Sequence, residues 1–553
     1  MDERIRPHLS DCGGDAYHQR GVLGRAEYGS QRGTNSKRLK MSRIFIVWVA
    51  IEMATLPAFS QKHDYIWPFG TNGGAFDTLW GGGYLDFNAS PIQTVRVDTQ
   101  SIRLFEETTA AISSGDGQLL LTSNGCSIVN HDQKIIDGGQ SFSMDDDPVI
   151  KKYCNTLSEG TVRISTFCFL PPFKVDSSYL FVYFSEAYTP SQYPLISWCR
   201  SVDLAYIDTK SDPGKIVKRQ KLYLDTLSCG ILSCVRHSNN VDWWIITQKQ
   251  NSNIYVKTLI KADGSFVSFQ QHIGDTLSRN NDYGSRFSMD GRYFAVANKK
   301  SGVFLYNFDR STGELSNFKN IQIQTPDTTD AGWPVSVAFS PNSKFLYTCS
   351  FEYLYQFETE SQNIDSSKIL IAIYDGFKTG TFQWHSFYTM QNGPDCRIYM
   401  TAPQTGRYYH VIHKPDLKGK DCDFRQHDLL LPVHRSSNIP YFPSYRLGTG
   451  EPLCDSSITV SVHQIPVNAH THVLLNVFPN PANETAHIEL GNYLAFSNYQ
   501  IRILNLQGQQ LYSNALHNGQ SDVDVSSFPP GIVFVQLWLN GRMLEVRKLV
   551  VLH

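Results

Sequence analysis

The amino-acid sequence predicts an all-β protein, with a β-propeller followed by a small Ig-like β-sandwich. Three observations predict this fold class. Aromatic residues make up 12% of the 553 residues and charged residues only 18%, against about a quarter charged in an ordinary soluble domain. A turn followed by a β-rich run recurs along most of the chain, and a compact block of alternating apolar and polar residues ends it. The net charge of -2 supplies no field that would attract nucleic acid, so no nucleic-acid partner is expected.

The chain start predicts export. Residues 1–40 are polar, lack any helical or strand period, and are interpreted as disordered sequence from an over-extended gene start. Residues 41–60 have a basic head, an apolar run at 44–50 and small residues at the end, which is typical of a secretory signal peptide. We expect cleavage between Ser60 and Gln61. The apolar run is shorter than the ~20 residues of a transmembrane helix, so none is predicted, although a buried helix of a cytoplasmic protein remains the alternative.

A repeat of fifty to sixty residues defines the middle of the chain. Its register marks are turn residues separated by 60, 64, 50, 52 and 53 positions, namely Asp116, Asp176, Asn240, Asp290, Asn342 and Asp395. Such residues tolerate the left-handed backbone of a tight turn, and the β-branched and aromatic residues after them favour strands. Each unit is interpreted as a four-stranded antiparallel sheet that must pack against its neighbours, which predicts a β-propeller over residues 62–448.

The expected blade number is seven. Six repeats are clear, and strand material is left over at 93–105 and 428–447. The prediction is that this material pairs the two ends of the propeller in a seventh blade. An array of β-sandwiches is the alternative, but it would need linkers that are not visible between residues 62 and 447.

Cysteine usage leaves two interpretations open. Ten cysteines follow the predicted signal peptide, from Cys126 to Cys454, and no CxxC pair typical of zinc sites occurs. Cys396 and Cys422 fall within one repeat. Export would allow some of them to form disulfides, whereas the alternative is that most are small buried residues.

A second domain follows the repeats. Residues 449–472 are polar and contain Pro452 and Pro466, which predicts a linker. Residues 473–553 show strong alternation and turn pairs such as Asn540-Gly541, and their length suits a small β-sandwich.

The propeller sequence resembles a family of exported proteins. The motifs are WPFGTNGG at 67–74, GGYLDFNASPI at 82–92, Asp242-Trp243-Trp244, and IPYFPSYRLG at 439–448. They are similar to exported WD-repeat-like or YVTN-like propellers of the Bacteroidota, a family without an established activity. This chain departs from the family pattern at EETTAAIS (106–113) and at Cys396, which replaces the usual turn glycine.

The carboxy-terminal domain resembles the type A sorting domain of the type IX secretion system. The matching positions are Pro479, Asn480, Pro481, Gly508, Asp524, Gly531 and Lys548. The resemblance implies an outer-membrane translocon and a surface sortase as partners, with release or attachment to a surface glycolipid. The family's Gly-Ile-Tyr is Gly-Ile-Val here, from Gly531. An adhesive immunoglobulin-like domain that stays attached is the alternative.

The sequence predicts no catalytic, cofactor or metal site. It contains no GxSxG, HExxH, Walker or GxGxxG motif. Asp145, Asp146 and Asp147 lack a calcium-loop register and are interpreted as a solvated loop. The remaining candidates, each weighed against a structural role, are His237, His410, His413, Trp243, Trp244, Trp333 and Trp384.

Each of these candidates also has a purely structural interpretation. His237 is expected to hydrogen-bond across a blade. The spacing of His410 and His413 sends them to opposite faces of a strand. The tryptophans could stack on sugar or peptide, although at least one of Trp243 and Trp244 should be core.

Two function classes remain. The favoured one is an exported binding or scaffold propeller for a protein or glycan ligand. The alternative is a propeller hydrolase or lyase acting on polysaccharide or a lactone. What lines the central channel discriminates them, since clustered carboxylates and a cavity would favour the enzyme and an apolar plug would favour the scaffold.

Overall fold

In the computed structural model of this chain, the described residues are 61–71, 79–97, 109–140, 167–174, 177–188, 197–228, 230–277, 282–323, 333–379, 383–437, 439–458, 474–491, 499–516, 519–539 and 542–552. The predicted disordered start 1–40, the signal peptide 41–60 with Ser60, the acidic run 145–147 and the turn residue Asp176 lie outside them. Within these ranges, no helix has the length and apolar character needed to cross a membrane.

Residues 66–435 form seven successive groups of antiparallel strands, here called blades. One parallel pair, Lys215 with Asp137, joins the outer strands of blades 2 and 3 into a single eight-stranded sheet. Blade 1 has three strands, β1 (Ile66–Thr71), β2 (Gly81–Asp86) and β3 (Gln93–Val97). Blade 2 contains β4 (Ala110–Ser113), β5 (Leu119–Ser123), β6 (Ser127–Asn130) and β7 (Ile135–Gln140). Blade 3 contains β8 (Phe167–Leu170), β9 (Tyr179–Tyr188), β10 (Ser197–Asp208) and β11 (Lys215–Leu227). Blade 4 contains β12 (Ser233–Arg236), β13 (Trp243–Gln248), β14 (Ile254–Ile260) and β15 (Phe266–His272). Blade 5 contains β16 (Asp282–Phe287), β17 (Tyr293–Asn298), β18 (Gly302–Phe308) and β19 (Leu315–Ile321).

Blade 6 is β20 (Ser336–Phe339), β21 (Phe345–Cys349), β22 (Tyr353–Glu358) and β23 (Ile369–Ile373). A short hairpin follows, made of β24 (Lys378–Thr379) and β25 (Gln383–Trp384). Blade 7 is β26 (Met390–Asn392), β27 (Ile398–Met400), β28 (Gly406–Ile412) and β29 (Phe424–Arg435). Two single-turn 3-10 helices, Asp365–Ser367 and Gly419–Cys422, lie in connections between strands.

The first strands of the blades form a ring. Contacts link β1 to β4, β4 to β8, β12 to β16, β16 to β20 and β20 to β26. The sulfur atoms of Cys168 in β8 and Cys234 in β12 lie 3.1 Å apart and link the remaining neighbours. The ring closes where β1 and β2 pack against β29. The predicted propeller is therefore confirmed, with seven blades among the described residues.

Burial explains the sequence contrast between inner and outer strands. The inner strands AAIS (β4), FCFL (β8) and SVAF (β20) are buried along their whole length. They are flanked on both faces by neighbouring blades, so small and apolar residues replace alternation. The outer strand β11, KIVKRQKLYLDTL, is mostly exposed and carries many charges. It pairs with β7 only at Lys215, and charges along the remaining edge discourage pairing with another chain.

The seventh blade is not built as predicted. Residues 93–97 do form a strand, but they pair with β2 in a blade made wholly of strands from the amino-terminal side. Residues 428–435 are instead the end of β29 and pair with β28. The physical reason is that the run from 424 to 435 continues as one strand through register shifts, so the last clear repeat needs it as an outer strand.

Apolar side chains fill the spaces between blades. One cluster packs blade 4 against blade 5 with Trp244, Tyr255 and Phe294. Similar clusters join blades 5 and 6 and blades 6 and 7. The largest cluster includes residues of blades 1–4 and 7 together with residues 439–445, so the last described residues of the propeller belong to its core.

Part of the predicted linker 449–472 is bonded to the propeller. Cys454 forms a disulfide with Cys396, which lies 58 positions earlier in the turn before β27. The backbone N–H of Asp455 donates to the carbonyl of Pro394 at 2.6 Å. Cys126 and Cys199 are also in disulfides, whereas Cys168, Cys234 and Cys422 are buried thiols. Both interpretations of the cysteines therefore apply, each to some of them.

The carboxy-terminal domain is a two-sheet sandwich. One sheet contains β30 (Leu474–Phe478), β31 (Thr485–Gly491) and β34 (Gln520–Asp524). The other has the order β33 (Gln510–Ala515), β32 (Tyr499–Asn505), β35 (Gly531–Leu539) and β36 (Arg542–Val551). Inward-facing residues such as Ile488, Ile503 and Val535 form its own core, as expected where alternate side chains face the opposite sheet.

Candidate functional site

Residues 439–447, here called the central segment, occupy the middle of the ring of first strands. All five of their aliphatic and aromatic side chains are at most 8% exposed, namely Ile439, Tyr441, Phe442, Tyr445 and Leu447. The segment has no ladder partner among the described strands. Its two prolines, Pro440 and Pro443, lack an N–H to donate, which suits a segment held by side chains.

The central segment contacts the first strands of five blades. The Tyr441 hydroxyl accepts from the backbone N–H of Cys234 in β12 at 3.2 Å, and the guanidinium of Arg286 in β16 lies 4.7 Å from the Tyr441 ring centroid. The Tyr445 hydroxyl donates to the carbonyl of Phe169 in β8 at 2.8 Å. Three residues before Tyr445, the ring of Phe442 lies 5.7 Å from the Trp67 ring of β1. The Phe442 carbonyl accepts from the side-chain amide of Gln391 in β26.

A buried ion pair fixes the end of the central segment. Arg446 donates from Nη2 to Oδ1 of Asp64 at 2.6 Å and from Nη1 to Oδ2 at 3.2 Å. The two side chains are 6% and 9% exposed. Burial alone would lower the pKa of Arg446, but the carboxylate of Asp64 and its hydrogen bonds raise it above the ordinary value. The charges are therefore paired and satisfied rather than presented to a ligand.

The cavity beside the central segment is small. It measures about 30 Å³ and is lined by Asp64, Arg286, Gln391, Tyr441 and Arg446 among others. Such a volume accommodates water rather than a sugar or lactone. The described lining of this cavity has one carboxylate and no histidine.

Two exposed tryptophans lie outside the ring, each under a lysine. Trp333 precedes β20 and is 38% exposed, with Lys299 Nζ 3.6 Å from its ring centroid. Trp384 in β25 is 44% exposed, with Lys378 Nζ 3.3 Å from its centroid. Both connections lead into the first strand of a blade, and blades repeat one strand order, so we place both pairs on the same face of the propeller.

The other tryptophan and histidine candidates serve packing. Trp243 and Trp244 are 1% and 2% exposed, so both belong to the core. Arg236 lies over the Trp243 ring. His237 bonds through Nε2 to the carbonyl of Ser311, at 3.2 Å, in the β18–β19 turn of the next blade. His237 thus joins two blades.

Blade 7 and the preceding hairpin bring three histidines together. The His410 and His427 rings lie 4.8 Å apart, and those of His385 and His427 5.9 Å apart. Burial lowers the pKa of His385 to about 3 and holds that of His410 well below its usual value. Burial also lowers the pKa of His427, against the opposing effect of Asp375. The rings are therefore neutral packing groups at neutral pH.

His413 is separate from this cluster. Its Nε2 bonds to Oδ2 of Asp428 at 2.8 Å, while His410 packs against Phe387. In the part of the chain that the structure describes, no three His, Cys, Asp or Glu side chains are placed to hold a metal ion.

Five of the six register marks lie in described turns between the first and second strands of blades. The carboxylate or amide oxygens of Asp290 and Asn342 accept from Ser288 and Ser340, two positions earlier, at 2.6 and 2.8 Å. Asp116 makes the same bond with Ser114. The other two are Asn240, with φ of 61°, and Asp395, which is buried and accepts from Arg397 and Tyr399.

The sorting-domain residues divide into two groups. Asn480 connects the Pro479–Pro481 segment to the last strand, since its Nδ2 donates to the Lys548 carbonyl at 2.7 Å and its Oδ1 accepts from the Val550 N–H at 2.9 Å. The others lie at turns or strand ends. Gly508 has φ of 79° in the β32–β33 turn, Asp524 accepts from the Ser526 N–H and hydroxyl, and Gly531 begins β35.

Sequence reasoning missed the role of the central segment. The sequence pattern predicts strand material for the seventh blade up to residue 447, which is wrong for residues 439–447 because they form no strand, and it does not single out Asp64. The available signal was an aromatic run broken by prolines after the last outer strand. Such a run cannot continue a ladder yet carries much apolar surface to bury.

Comparisons with known proteins identify the carboxy-terminal domain. The family "Secretion system C-terminal sorting domain" matches residues 476–552. A search of curated proteins finds no match to the chain.

Solved structures similar to the chain include three propeller or surface proteins. PorZ, a surface component of the type-IX secretion system of Porphyromonas gingivalis, is 10% identical over 85% of this chain and 68% of its own, with a TM-score of 0.30. The Dos1 propeller is 10% identical over 58% and 70%, with a TM-score of 0.31. The Cps50 (Swd1) propeller domain of Myceliophteria thermophila is 9% identical over 69% and 96%, with a TM-score of 0.29. The fold assignment rests on the strand order described above.

The sorting-domain match and the sandwich fold agree on the same residues. The carboxy-terminal domain is therefore a type IX secretion sorting domain, and the protein is an exported β-propeller protein that this system delivers to the cell surface or releases.

Proposed function

We propose that the propeller is a binding or scaffold module for a protein or glycan ligand outside the cell. The observation that carries the proposal is the central segment, which fills the ring with Tyr441, Phe442 and Tyr445. Enzymes built on propellers need a cavity where groups from several blades converge on substrate. Here the convergence point holds protein side chains and a cavity of about 30 Å³, which supports binding on the outer surface instead.

The surface we assign to the ligand contains the pairs Trp333–Lys299 and Trp384–Lys378. Half-exposed tryptophans offer an apolar ring face for a sugar ring or an aromatic side chain. The lysines beside them offer hydrogen-bond donors and positive charge. This combination suits a glycan or peptide with hydroxyl or acidic groups next to an apolar face.

Our second proposal concerns the export route: a signal peptidase cleaves after Ser60, and a surface sortase removes the sorting domain. The backbone N of Gln61 lies 3.3 Å from Oε2 of Glu451. Cleavage would place a new α-amino group beside this carboxylate, where opposite charges attract. Mass spectrometry of the secreted protein should find Gln61, free or cyclised, as the first residue. Peptides from residues 1–40 on the secreted protein would contradict this.

Binding is tested with the exported mature protein on glycan and peptide arrays. Trp333→Ala and Trp384→Ala should each weaken the strongest signals about tenfold or more, because each removes one stacking platform of about 1.4 kcal/mol or more. Phe269→Ala is the matched control, since Phe269 is 45% exposed on the outer strand β15, away from these loops. Equal binding by all three variants would contradict the assigned surface. Turnover of a screened polysaccharide or lactone would favour the hydrolase or lyase alternative.

Delivery is tested by deleting residues 473–553. The truncated protein should accumulate in the periplasm, because the sorting domain provides the contact with the translocon. Normal export of the truncated protein would contradict a sorting role and favour an attached adhesive domain.

A further inference from the structure

Two buried cysteines face each other between the first strands of blades 3 and 4. Cys168 is the second residue of β8 and Cys234 the second residue of β12. Their side chains are 0% and 1% exposed, and their sulfur atoms lie 3.1 Å apart. This separation is about 1 Å longer than a covalent S–S bond. A small movement of either side chain would bring the atoms to bonding distance.

The pair occupies a position that side chains use to join neighbouring first strands. Ser233 Oγ lies 2.8 Å from Ser285 Oγ and links β12 to β16. Ser336 Oγ accepts from the backbone N–H of Met390 at 2.9 Å and links β20 to β26. The cysteine pair is the equivalent link between β8 and β12. A sulfur link differs from these hydrogen bonds in that it can become covalent.

We propose that Cys168 and Cys234 form a disulfide in the exported protein, which crosslinks blades 3 and 4 at the ring. Formation breaks two S–H bonds and makes one S–S bond. A thiolate of the pair attacks a protein disulfide oxidant, and the second thiolate displaces the oxidant, which leaves as a dithiol. The pair loses two electrons and two protons in total. Export through an oxidising compartment supplies this class of oxidant, and the Cys396–Cys454 disulfide of the same chain requires one as well.

The central segment restricts when the crosslink can form. Tyr441 accepts from the N–H of Cys234, and Tyr445 donates to the carbonyl of Phe169, the residue after Cys168. The central segment therefore covers the pair from the middle of the ring. Burial also raises the pKa of the Cys168 thiol well above its usual value, which reduces the thiolate available for exchange. The two thiols are accordingly oxidised before the central segment packs into the ring. The crosslink therefore stabilises the folded propeller and does not act as a reversible redox switch.

The first test is a map of thiols in the exported wild-type protein. The protein is denatured in N-ethylmaleimide without reductant, digested and examined by mass spectrometry. Trypsin leaves Cys229 and Cys234 on one peptide, 222–236, so a second digestion with chymotrypsin after Leu232 separates them. We expect a crosslinked peptide containing Cys168 and Cys234, with maleimide on Cys422 and Cys349. Maleimide on Cys168 and Cys234 in more than half of the molecules would overturn the proposal.

A stability comparison distinguishes a bond from mere packing. Cys168→Ser should lower the melting temperature relative to wild type, and the gap should shrink when both proteins are fully reduced before unfolding. Cys349→Ser is the matched control, since Cys349 is buried in β21 and its Sγ donates to the Tyr388 carbonyl at 3.1 Å. Its gap to wild type should be the same with and without reductant. A Cys168→Ser gap that reduction leaves unchanged would overturn the proposal.

Discussion

Removing Asp64 should unseat the central segment. In Asp64→Ala, the guanidinium of Arg446 loses both oxygens that accept from it at 2.6 and 3.2 Å, and keeps the Leu453 carbonyl at 3.2 Å. The side chain of Arg446 is only 6% exposed, and water in the adjoining cavity of about 30 Å³ carries no charge to pair with it, so the guanidinium stays buried without a counter-ion. Breaking one side of a buried ion pair costs about 3–5 kcal/mol. We expect the free energy of unfolding to fall by about that amount.

Urea unfolding followed by tryptophan fluorescence measures this loss, because Trp67 packs against Phe442 of the central segment. The double variant Asp64→Leu/Arg446→Met removes both charges and should recover most of the lost stability, since apolar replacements of buried pairs are often neutral. Asp212→Ala is the control, because its ion pair with Lys134 is 54% and 70% exposed and should cost less than about 1 kcal/mol. An Asp64→Ala loss as small as that of the control would refute the structural role of the pair.

Three further predictions concern blade 7, the disulfide and the sorting domain. The pKa of His385 is about 3 in the folded protein against 6.5 when unfolded, so the unfolded state binds more protons below pH 6.5. The free energy of unfolding should therefore fall as pH drops from about 6.5 to about 3. In His385→Gln, the urea midpoint should depend less on pH over this range than in wild type. An equal pH dependence in both proteins would contradict the prediction. Cys454→Ser opens a loop of 58 residues and should lower the free energy of unfolding by up to about 4 kcal/mol relative to the oxidised wild type; the difference between the two proteins should shrink when both are fully reduced, and a difference that reduction leaves unchanged would contradict the crosslinking role. Asn480→Ala removes two hydrogen bonds to β36 and should destabilise the sorting domain by about 1–3 kcal/mol in thermal unfolding, whereas Asn476→Ala, exposed on β30, should change it little; equal effects would contradict the anchoring role of Asn480.

The repeat in the sequence was sufficient to predict the propeller. Turn residues such as Asp290 and Asn342 adopt their conformation through bonds to a serine two positions away, so the signal is local and can be read directly. The residues of blade 7 carry no such local signal for where each of its strands begins and ends. The sequence pattern predicts separate strand material from residue 428, whereas residues 424–435 form one long strand that pairs with β28, so the strands predicted for the seventh blade are wrong.

The sites depended on contacts that local sequence does not encode. Trp243 and Trp244 should alternate between faces, yet both are buried, because one blade covers each side of β13. Trp333 and Trp384 are the same residue type and are exposed instead. Exposure depends on the neighbouring blade, which lies tens of residues away in the chain.

The sequence by itself determined the class of the protein, its repeat, and the sorting domain at its end. These features rest on turn chemistry, strand propensity and short motifs, all of which act over a few neighbouring residues. Only the tertiary structure decided what fills the ring and which cysteines meet. The Tyr445–Phe169 bond spans 276 positions and the Arg446–Asp64 pair spans 382. Such contacts form only when distant blades come together, because the two partners lie hundreds of residues apart in the chain.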